Sequence, residues 1–173
     1  MQFSIYPPRF KKSRKHATRS LAIQQLEDRS VPATFAVTNL QSGGVGSLRQ
    51  AILSANANAG ADLISFDVQG TIRVTNAALP AITEQVDIDG TTAPGFAGTP
   101  SVTIDFNRFN GLRFNAGSAE SALRSQSLGR SAGNGVTVNN AGGMLFVGNY
   151  IGIGLDGTTA VGNVGDGIEL NNS

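Results

Sequence analysis

The sequence predicts an all-β fold: a right-handed parallel β-helix, or solenoid, with one short N-terminal capping helix and a largely disordered basic leader. Three observations predict it. Short segments of alternating apolar and polar residues recur between Gly-, Asn- and Asp-containing turns, and only 14% of the residues are charged. The hexapeptide GVTVNN at 135–140 recurs as GIELNN at 167–172, which is typical of stacked strand-turn units. A single amphipathic helix precedes these units.

Residues 1–31 form the predicted leader. Residues 1–30 contain seven Lys or Arg against Glu27 and Asp28, whereas residues 31–173 contain six Arg, ten Asp or Glu and no Lys. The apolar residues in 20–29 bury too little surface to hold a helix in water, so we predict a disordered targeting segment. Neither a secretory h-region nor a transmembrane stretch is found. Since the body is acidic, we predict no nucleic-acid binding and no stable membrane insertion.

Residues 32–61 are predicted to contain a strand and the capping helix. The segment 35–40 (FAVTNL) alternates in polarity, as a half-buried strand does. Ser47 is the predicted N-cap of the helix, and 58–60 are predicted to end it. The apolar residues of this helix recur at i, i+3, i+4 and i+7: Leu48, Ala51, Ile52 and Ala55. Such a helix is expected to cover the open end of a stacked β structure.

Residues 62–173 are predicted to form the coils of the β-helix, incomplete at the C-terminal end. The predicted strands are 63–68, 71–75, 86–89, 102–106, 112–114, 135–138, 145–151 and 168–170. Strand alternation points Asp87, Asp89 and Asp105 outward, while their apolar neighbours point inward. Because the chain stops directly after a predicted strand, we expect the start of a longer protein or a truncated relative of one.

Several segments resemble a known family. GSLRQAILSANANAGADLISFDV (46–68) resembles the N-terminal cap of large exported bacterial proteins named for a Cys-Ser-Leu-Arg-Glu-Ala (CSLREA) signature, with Gly46 and Gln50 in place of the Cys and Glu. Residues 79–100 resemble the first coil after that cap, and 147–170 resemble a repeated coil. The resemblance implies a pectin-lyase-like β-helix but no particular activity.

Two further features follow from this resemblance. The segment LEDRSVPA (26–33) is similar to the N-terminal element of planctomycete surface and secreted proteins, which implies export to the cell surface or beyond. Ser125, Gln126 and Ser127 stand where the family has an apolar strand. Gln126 is therefore expected either to face solvent or to weaken its coil.

The candidate site residues are the outward-facing Asp87, Asp89, Asp105 and Arg108, which could bind a ligand or Ca²⁺. Enzymes of the implied fold act on polysaccharides, and glycosidases use paired carboxylates as acid and base. The motifs of polygalacturonase-type sites are missing, however. With no Cys, and with His16 in the leader as the only His, neither a catalytic triad nor a His- or Cys-based metal site is predicted in the body. We therefore predict no catalytic residues and no cofactor beyond weak Ca²⁺ binding.

The predicted function is a non-catalytic structural or adhesive module of an exported or cell-surface protein. Rows of Thr, Asn and Asp on its outer faces suit contact with polysaccharide. The alternative that the sequence leaves open is a polysaccharide lyase or glycoside hydrolase of the implied fold.

Overall fold

The computed structural model describes residues 1–2 and 31–173 of the chain. Nearly all of the predicted disordered leader, 1–31, therefore lies outside the described residues. The described part forms short strands, one α-helix and one turn of 3₁₀-helix. In chain order the elements are β1 (Thr34–Val37), α1 (Leu48–Ala57), β2 (Asp62–Phe66), β3 (Gly70–Arg73), β4 (Val86–Asp89), the 3₁₀ turn (Gly90–Thr92), β5 (Val102–Asp105), β6 (Leu112–Phe114), β7 (Ala122–Arg124), β8 (Gln126–Gly129), β9 (Val136–Asn139), β10 (Leu145–Val147), β11 (Tyr150–Ile151) and β12 (Ile168–Asn171).

The strands pair in parallel within three sheets. Sheet A has the order β1-β2-β4-β7-β10, sheet B has β11-β8-β5-β3, and sheet C has β12-β9-β6. From β4 onward the chain visits A, B and C in turn. We call each set of three consecutive strands a layer: β4 to β6, β7 to β9 and β10 to β12. Consecutive layers therefore add one strand to each sheet.

The prediction of an all-β fold in the form of a right-handed parallel β-helix is wrong. The described residues form three parallel sheets and one α-helix without a closed barrel, and a right-handed β-helix is not shown. Purely parallel pairing is typical of α/β-type proteins rather than of the all-β class. Turn residues and repeated motifs predicted strands, but neither the class of a fold nor the hand of its connections follows from them.

The predicted helix is present as α1. The Ser47 hydroxyl accepts a hydrogen bond from the Gln50 amide at 3.2 Å, and the helix ends at Asn58. Its apolar stripe is buried, comprising Leu48, Ala51, Ile52 and Ala55. The helix packs against β1 and β2 at the edge of sheet A. The Arg49 guanidinium donates to the carbonyls of Ala77 and Ala78, which ties α1 to the segment between β3 and β4.

The core consists of aliphatic and aromatic side chains that lie at paired positions of neighbouring strands. In sheet B, Ile72 pairs with Ile104, which pairs with Leu128, and all three are fully buried. In sheet C, Phe114 pairs with the buried Val138, and Val138 pairs with Leu170. Leu170 lies on an edge strand of sheet C and is 62% exposed.

The repeated hexapeptides lie side by side in sheet C. β9 and β12 pair in register from Val136 with Ile168 to Asn139 with Asn171. The asparagine side chains at the ends of these strands bond to each other: Asn171 donates to Asn139 at 3.1 Å, and Asn139 donates to Asn115 at 3.2 Å. This amide ladder holds the three strands of sheet C in the same register.

Candidate functional site: a groove along the outer face of sheet B

A row of hydroxyl groups runs across the outer face of sheet B. Thr71 pairs with Thr103, Thr103 pairs with Ser127, and Ser127 pairs with Tyr150. Because side chains alternate along a strand, these residues point away from the core that their neighbours Ile72, Ile104 and Leu128 build. Thr71 and Thr103 therefore present their hydroxyl groups on this face, whereas Ser127 is fully buried.

The segment 152–161 forms a wall beside this row. It folds back on itself through an antiparallel bridge between Ile153 and Ala160. Gly154, Leu155 and Val161, from this segment, line a cavity of about 270 Å³ together with residues of sheet B and its end: Thr71, Thr103, Asp105, Gly129 and Arg130. We call this cavity the sheet-B groove.

Two contacts position the wall against the sheet. The Ser127 hydroxyl donates to the carbonyl of Ile153 at 2.9 Å. A Cβ added to Gly129 would lie only 2.6 Å from the Val161 Cγ2, so the missing side chain at this position lets the wall approach. Replacement of either contact residue would therefore alter the width of the groove.

Asp156 stabilises the tip of the wall. Its carboxylate accepts hydrogen bonds from the amides of Thr158 at 3.0 Å and Thr159 at 2.8 Å, and from the Thr159 hydroxyl. These bonds favour the charged form, chiefly those from Thr159, and hold the pKa of Asp156 well below its usual range. Because the pKa of Asp156 is lower in the folded than in the unfolded chain, its hydrogen bonds stabilise the folded protein fully above the ordinary carboxylate pKa. This stabilisation is lost as the pH falls through the lowered value.

Three arginines lie where the chain leaves sheet B. Arg73 ends β3, Arg108 follows β5, and Arg130 follows β8. We call them the arginine corner. Together with Asn107 and Ser131 they line a second cavity, of about 610 Å³, which shares Arg130 with the sheet-B groove. The two cavities are therefore neighbours on one surface.

The arginine corner carries more positive than negative charge. Asp105 is the one carboxylate among the residues that line the two cavities. It accepts hydrogen bonds from Arg130 at 3.1 Å and from the Asn107 amide at 2.8 Å, and its side chain is only 8% exposed. Arg73 donates to the Asn107 side-chain oxygen at 2.6 Å. Within the described part of the chain, neither Arg73 nor Arg108 pairs with a carboxylate.

Backbone geometry at the corner is unusual for these residue types. Asn107, Arg108 and Arg130 adopt φ values of 48°, 68° and 60°, in the left-handed region. This conformation costs a residue with a Cβ roughly 1–2 kcal/mol, whereas glycine adopts it freely. The two arginines therefore stand at positions where a glycine would stabilise the turn.

The structure divides the four predicted site residues between two sheets. Asp87 and Asp89 lie on the outer face of β4 in sheet A, whereas Asp105 and Arg108 belong to sheet B and its corner. Asp87 forms an ion pair with Arg124 at 2.9 Å, and Asp89 caps the 3₁₀ turn through Thr91. The three aspartates thus do not form a single group.

The burial of Asp105 is a feature that the alternation of β5 does not predict. Asp105 lies on the outer side of β5, as alternation predicts, but it does not face solvent. The exposed Arg130, whose side chain is 58% accessible, covers it from the next layer. The alternation within β5 predicts the side of the sheet on which Asp105 lies, but it does not predict that Arg130, which follows the neighbouring strand β8, covers this side chain.

The sequence reasoning missed Arg73, Arg130 and the row of hydroxyls. A usable pattern was present, because Thr71-Ile72-Arg73 and Thr103-Ile104-Asp105 share the order hydroxyl, aliphatic, charged residue. The two tripeptides pair in register. Comparing such tripeptides would have predicted the stacking of Thr on Thr and of Arg73 beside Asp105.

The described residues contain neither a cluster of metal ligands nor a membrane-spanning helix. Among residues 1–2 and 31–173, no group of three or more His, Cys, Asp or Glu side chains is close enough to hold a metal ion. Weak Ca²⁺ binding by the three aspartates stays a prediction. The same part of the chain contains no helix with the length and apolar character needed to cross a bilayer.

This chain has no detected relative among known proteins. No family model matches it, and the comparisons with curated proteins and with solved structures found no significant match. The functional assignment therefore depends on the groove and on the resemblance of individual segments.

Proposed function

We propose that this chain is a non-catalytic, adhesive module of an exported or cell-surface protein, and that it holds polysaccharide along the sheet-B groove. The observation that carries the proposal is the register of Thr71 with Thr103, which places two accessible hydroxyl groups side by side beside an apolar wall. Hydroxyl groups both donate and accept hydrogen bonds, as sugar hydroxyls do. Leu155 and Val161 supply apolar surface for the C–H groups of a sugar ring.

The regular spacing of the row suits a repeating polymer. Neighbouring strands in a sheet lie about 4.8 Å apart, so the hydroxyls form a ladder rather than a single pocket. Each hydroxyl makes only a weak contact with a sugar, but the affinity rises when one polymer contacts several of them at once. The similarity of 26–33 to the N-terminal element of secreted proteins supports export, although most of that segment lies outside the described residues.

The distribution of carboxylates favours the non-catalytic form of this proposal. Glycoside hydrolysis requires one carboxyl group that protonates the leaving group and a second that acts as base or nucleophile. In the groove, Asp105 is covered by Arg130. Asp87 and Asp89 lie outside the groove, on sheet A, and each already has a partner.

Removal of the hydroxyl row should weaken binding without changing the shape of the groove. We expect the double variant Thr71→Val and Thr103→Val to lower the affinity for a bound polysaccharide about tenfold, since each lost hydrogen bond to a neutral group is worth about 0.5–1.5 kcal/mol. Isothermal titration calorimetry against soluble polysaccharides measures this effect. Thr137→Val is the matched control, because Thr137 occupies the equivalent half-buried outer position of β9 in sheet C.

Two results would contradict the proposal. Equal losses in the double variant and in Thr137→Val would mean that sheet B is not the binding face. Release of shortened oligosaccharides during incubation, detected as new reducing or unsaturated ends and abolished by Asp89→Ala, would show that the protein is an enzyme and place its chemistry on sheet A.

A further inference from the structure

We infer that the arginine corner is a subsite for the anionic groups of a carboxylated or sulfated glycan, so that the ligand of the groove is an acidic polysaccharide. This inference rests on the proposed function and narrows its ligand class. Three of the six arginines in residues 31–173 lie at this corner, namely Arg73, Arg108 and Arg130. They come from the carboxyl ends of three neighbouring strands, β3, β5 and β8, and therefore lie beside the hydroxyl row that crosses the same strands.

The charge at the corner is not neutralised by the protein. Asp105 is the carboxylate that Arg130 contacts, and it is also fixed by the Asn107 amide. Arg73 uses one nitrogen on the Asn107 side chain, and among the described residues no hydrogen bond engages the Arg108 side chain. Both side chains are exposed, so their remaining donors are available to a ligand.

Guanidinium groups favour one kind of partner. Each is planar, stays charged at any physiological pH, and presents paired N–H groups that match the oxygens of a carboxylate or a sulfate-like anion. The main chains of Arg108 and Arg130 are joined by a hydrogen bond of 2.8 Å, which keeps their attachment points side by side. A single anion or two adjacent anions on one polymer can therefore contact more than one arginine.

The position of the corner favours a glycan over another polyanion. The second cavity shares Arg130 with the groove, so a glycan that follows the hydroxyl row across the strands runs beside the arginines. Aromatic side chains, on which exposed bases stack in single-stranded nucleic-acid sites, do not line either cavity. The chemistry therefore combines hydroxyl recognition with recognition of isolated negative charges.

The test compares two variants in the full chain: one removes two positive charges from the corner, and the other removes one positive charge from sheet A. Binding of dextran sulfate, alginate and uncharged dextran is measured by titration calorimetry for the wild type, for Arg73→Gln with Arg108→Gln, and for the single variant Arg124→Gln. Arg124 is the control because it lies on sheet A, paired with Asp87. The basic residues of the leader are present in every variant, so their attraction for polyanions cancels in the comparison.

We expect the double variant to lose about tenfold or more in affinity for dextran sulfate or alginate, and Arg124→Gln to lose less than about twofold. Affinity for the anionic polymers should also fall with added salt, because salt screens exposed charges. Sulfate is the preferred group if dextran sulfate binds more tightly at equal charge density, and carboxylate if alginate does. The pair Arg73→Lys with Arg108→Lys, which keeps the charge, should retain part of the affinity and controls for folding defects.

Four outcomes would overturn the inference. If the double variant and Arg124→Gln lose equal affinity, the corner is not the anionic subsite. If dextran binds as tightly as the anionic polymers, and the double variant is unaffected, the inference fails while the proposed function stands. If duplex DNA competes with the same dependence on Arg73 and Arg108, the corner recognises polyanions in general and not glycans. Absence of binding to any neutral or anionic glycan would remove the proposed function as well.

Discussion

Replacing Gly111 with alanine is expected to lower the free energy of unfolding by about 1–3 kcal/mol, the range for overpacking in a well-packed interior. Gly111 precedes β6, and a Cβ built on it would collide with the backbone carbonyls of Asn134 and Gly135 in the next layer. The Gly135 carbonyl cannot move away without cost, because it accepts the hydrogen bond of the Leu112 amide at 3.0 Å. To make room for the added methyl group, the backbone before β6 would have to move away from the backbone before β9.

The same close approach recurs one layer further along. A Cβ on Gly135 would lie 2.8 Å from the Gly167 carbonyl, which in turn accepts a hydrogen bond from the Val136 amide. Glycine therefore precedes both β6 and β9, because the backbone of the next layer approaches these two positions too closely for a side chain.

Gly142→Ala is the matched control for this prediction. No atom lies within 4 Å of the position that its Cβ would occupy, and its φ angle is not in the left-handed region. This substitution should leave stability unchanged or raise it by about 0.5 kcal/mol, through a smaller entropy of the unfolded chain. Urea denaturation of both variants measures the difference. Equal stability of the two variants would mean that the layers do not meet at Gly111.

Replacing Gln126 with methionine is expected to raise the free energy of unfolding by about 1–2 kcal/mol. Gln126 is fully buried and pairs with the buried Val102, so it occupies an inward position of sheet B. Neither its side-chain nitrogen nor its side-chain oxygen has a hydrogen-bond partner among the described residues. Methionine has a similar length and no polar group that requires a partner, so the cost of burying the amide is removed.

Two further variants test the cause of this gain. Gln126→Glu should lower stability strongly, because a charge buried without a partner is far more costly than an amide. Gln41→Met, at an exposed position, should change stability by less than about 0.5 kcal/mol. A loss of stability in Gln126→Met would show that the amide is paired inside the protein and would contradict this explanation.

The helix and many of the strands could be predicted from the sequence, because their apolar spacing is regular. The stripe from Leu48 to Ala55 and the alternation in 86–89 and 112–114 are examples, and the strand bounds agree within a few residues. β7 and β8 were missed, since Ser125, Gln126 and Ser127 are polar although all three are buried. Because buried positions in this part of the chain carry polar residues, the sequence shows no alternation of apolar and polar residues that would predict these strands.

Other errors have local physical causes. The single strand predicted over 145–151 is divided into β10 and β11, because Gly148 adopts a φ of 65° that interrupts the pairing. The segments 86–90 (VDIDG) and 102–106 (VTIDF) are similar in sequence, as two repeats of one unit would be. The structure places them instead in two different sheets of the same layer. Alternation predicts which side chains are buried, but it does not predict which strands pair.

The candidate site was the least predictable feature. Arg108 and Asp105 were identified as candidates from their position in the chain, whereas Asp87 and Asp89 proved to lie on another sheet. Arg73 and Arg130 were missed because they are distant from Arg108 in the sequence and meet it only through parallel pairing. A site assembled across layers depends on register, which a single strand does not contain.

The most direct test of the groove is a map of the chemical shifts that a glycan perturbs. Backbone ¹H–¹⁵N spectra of the full chain, recorded with increasing alginate, should show perturbations concentrated in three places: the outer positions of β3, β5 and β8, the wall 152–161, and the corner around Asn107 and Arg130. Perturbations confined to the basic leader or to the outer face of sheet A would contradict the account, since the groove would then take no part in binding.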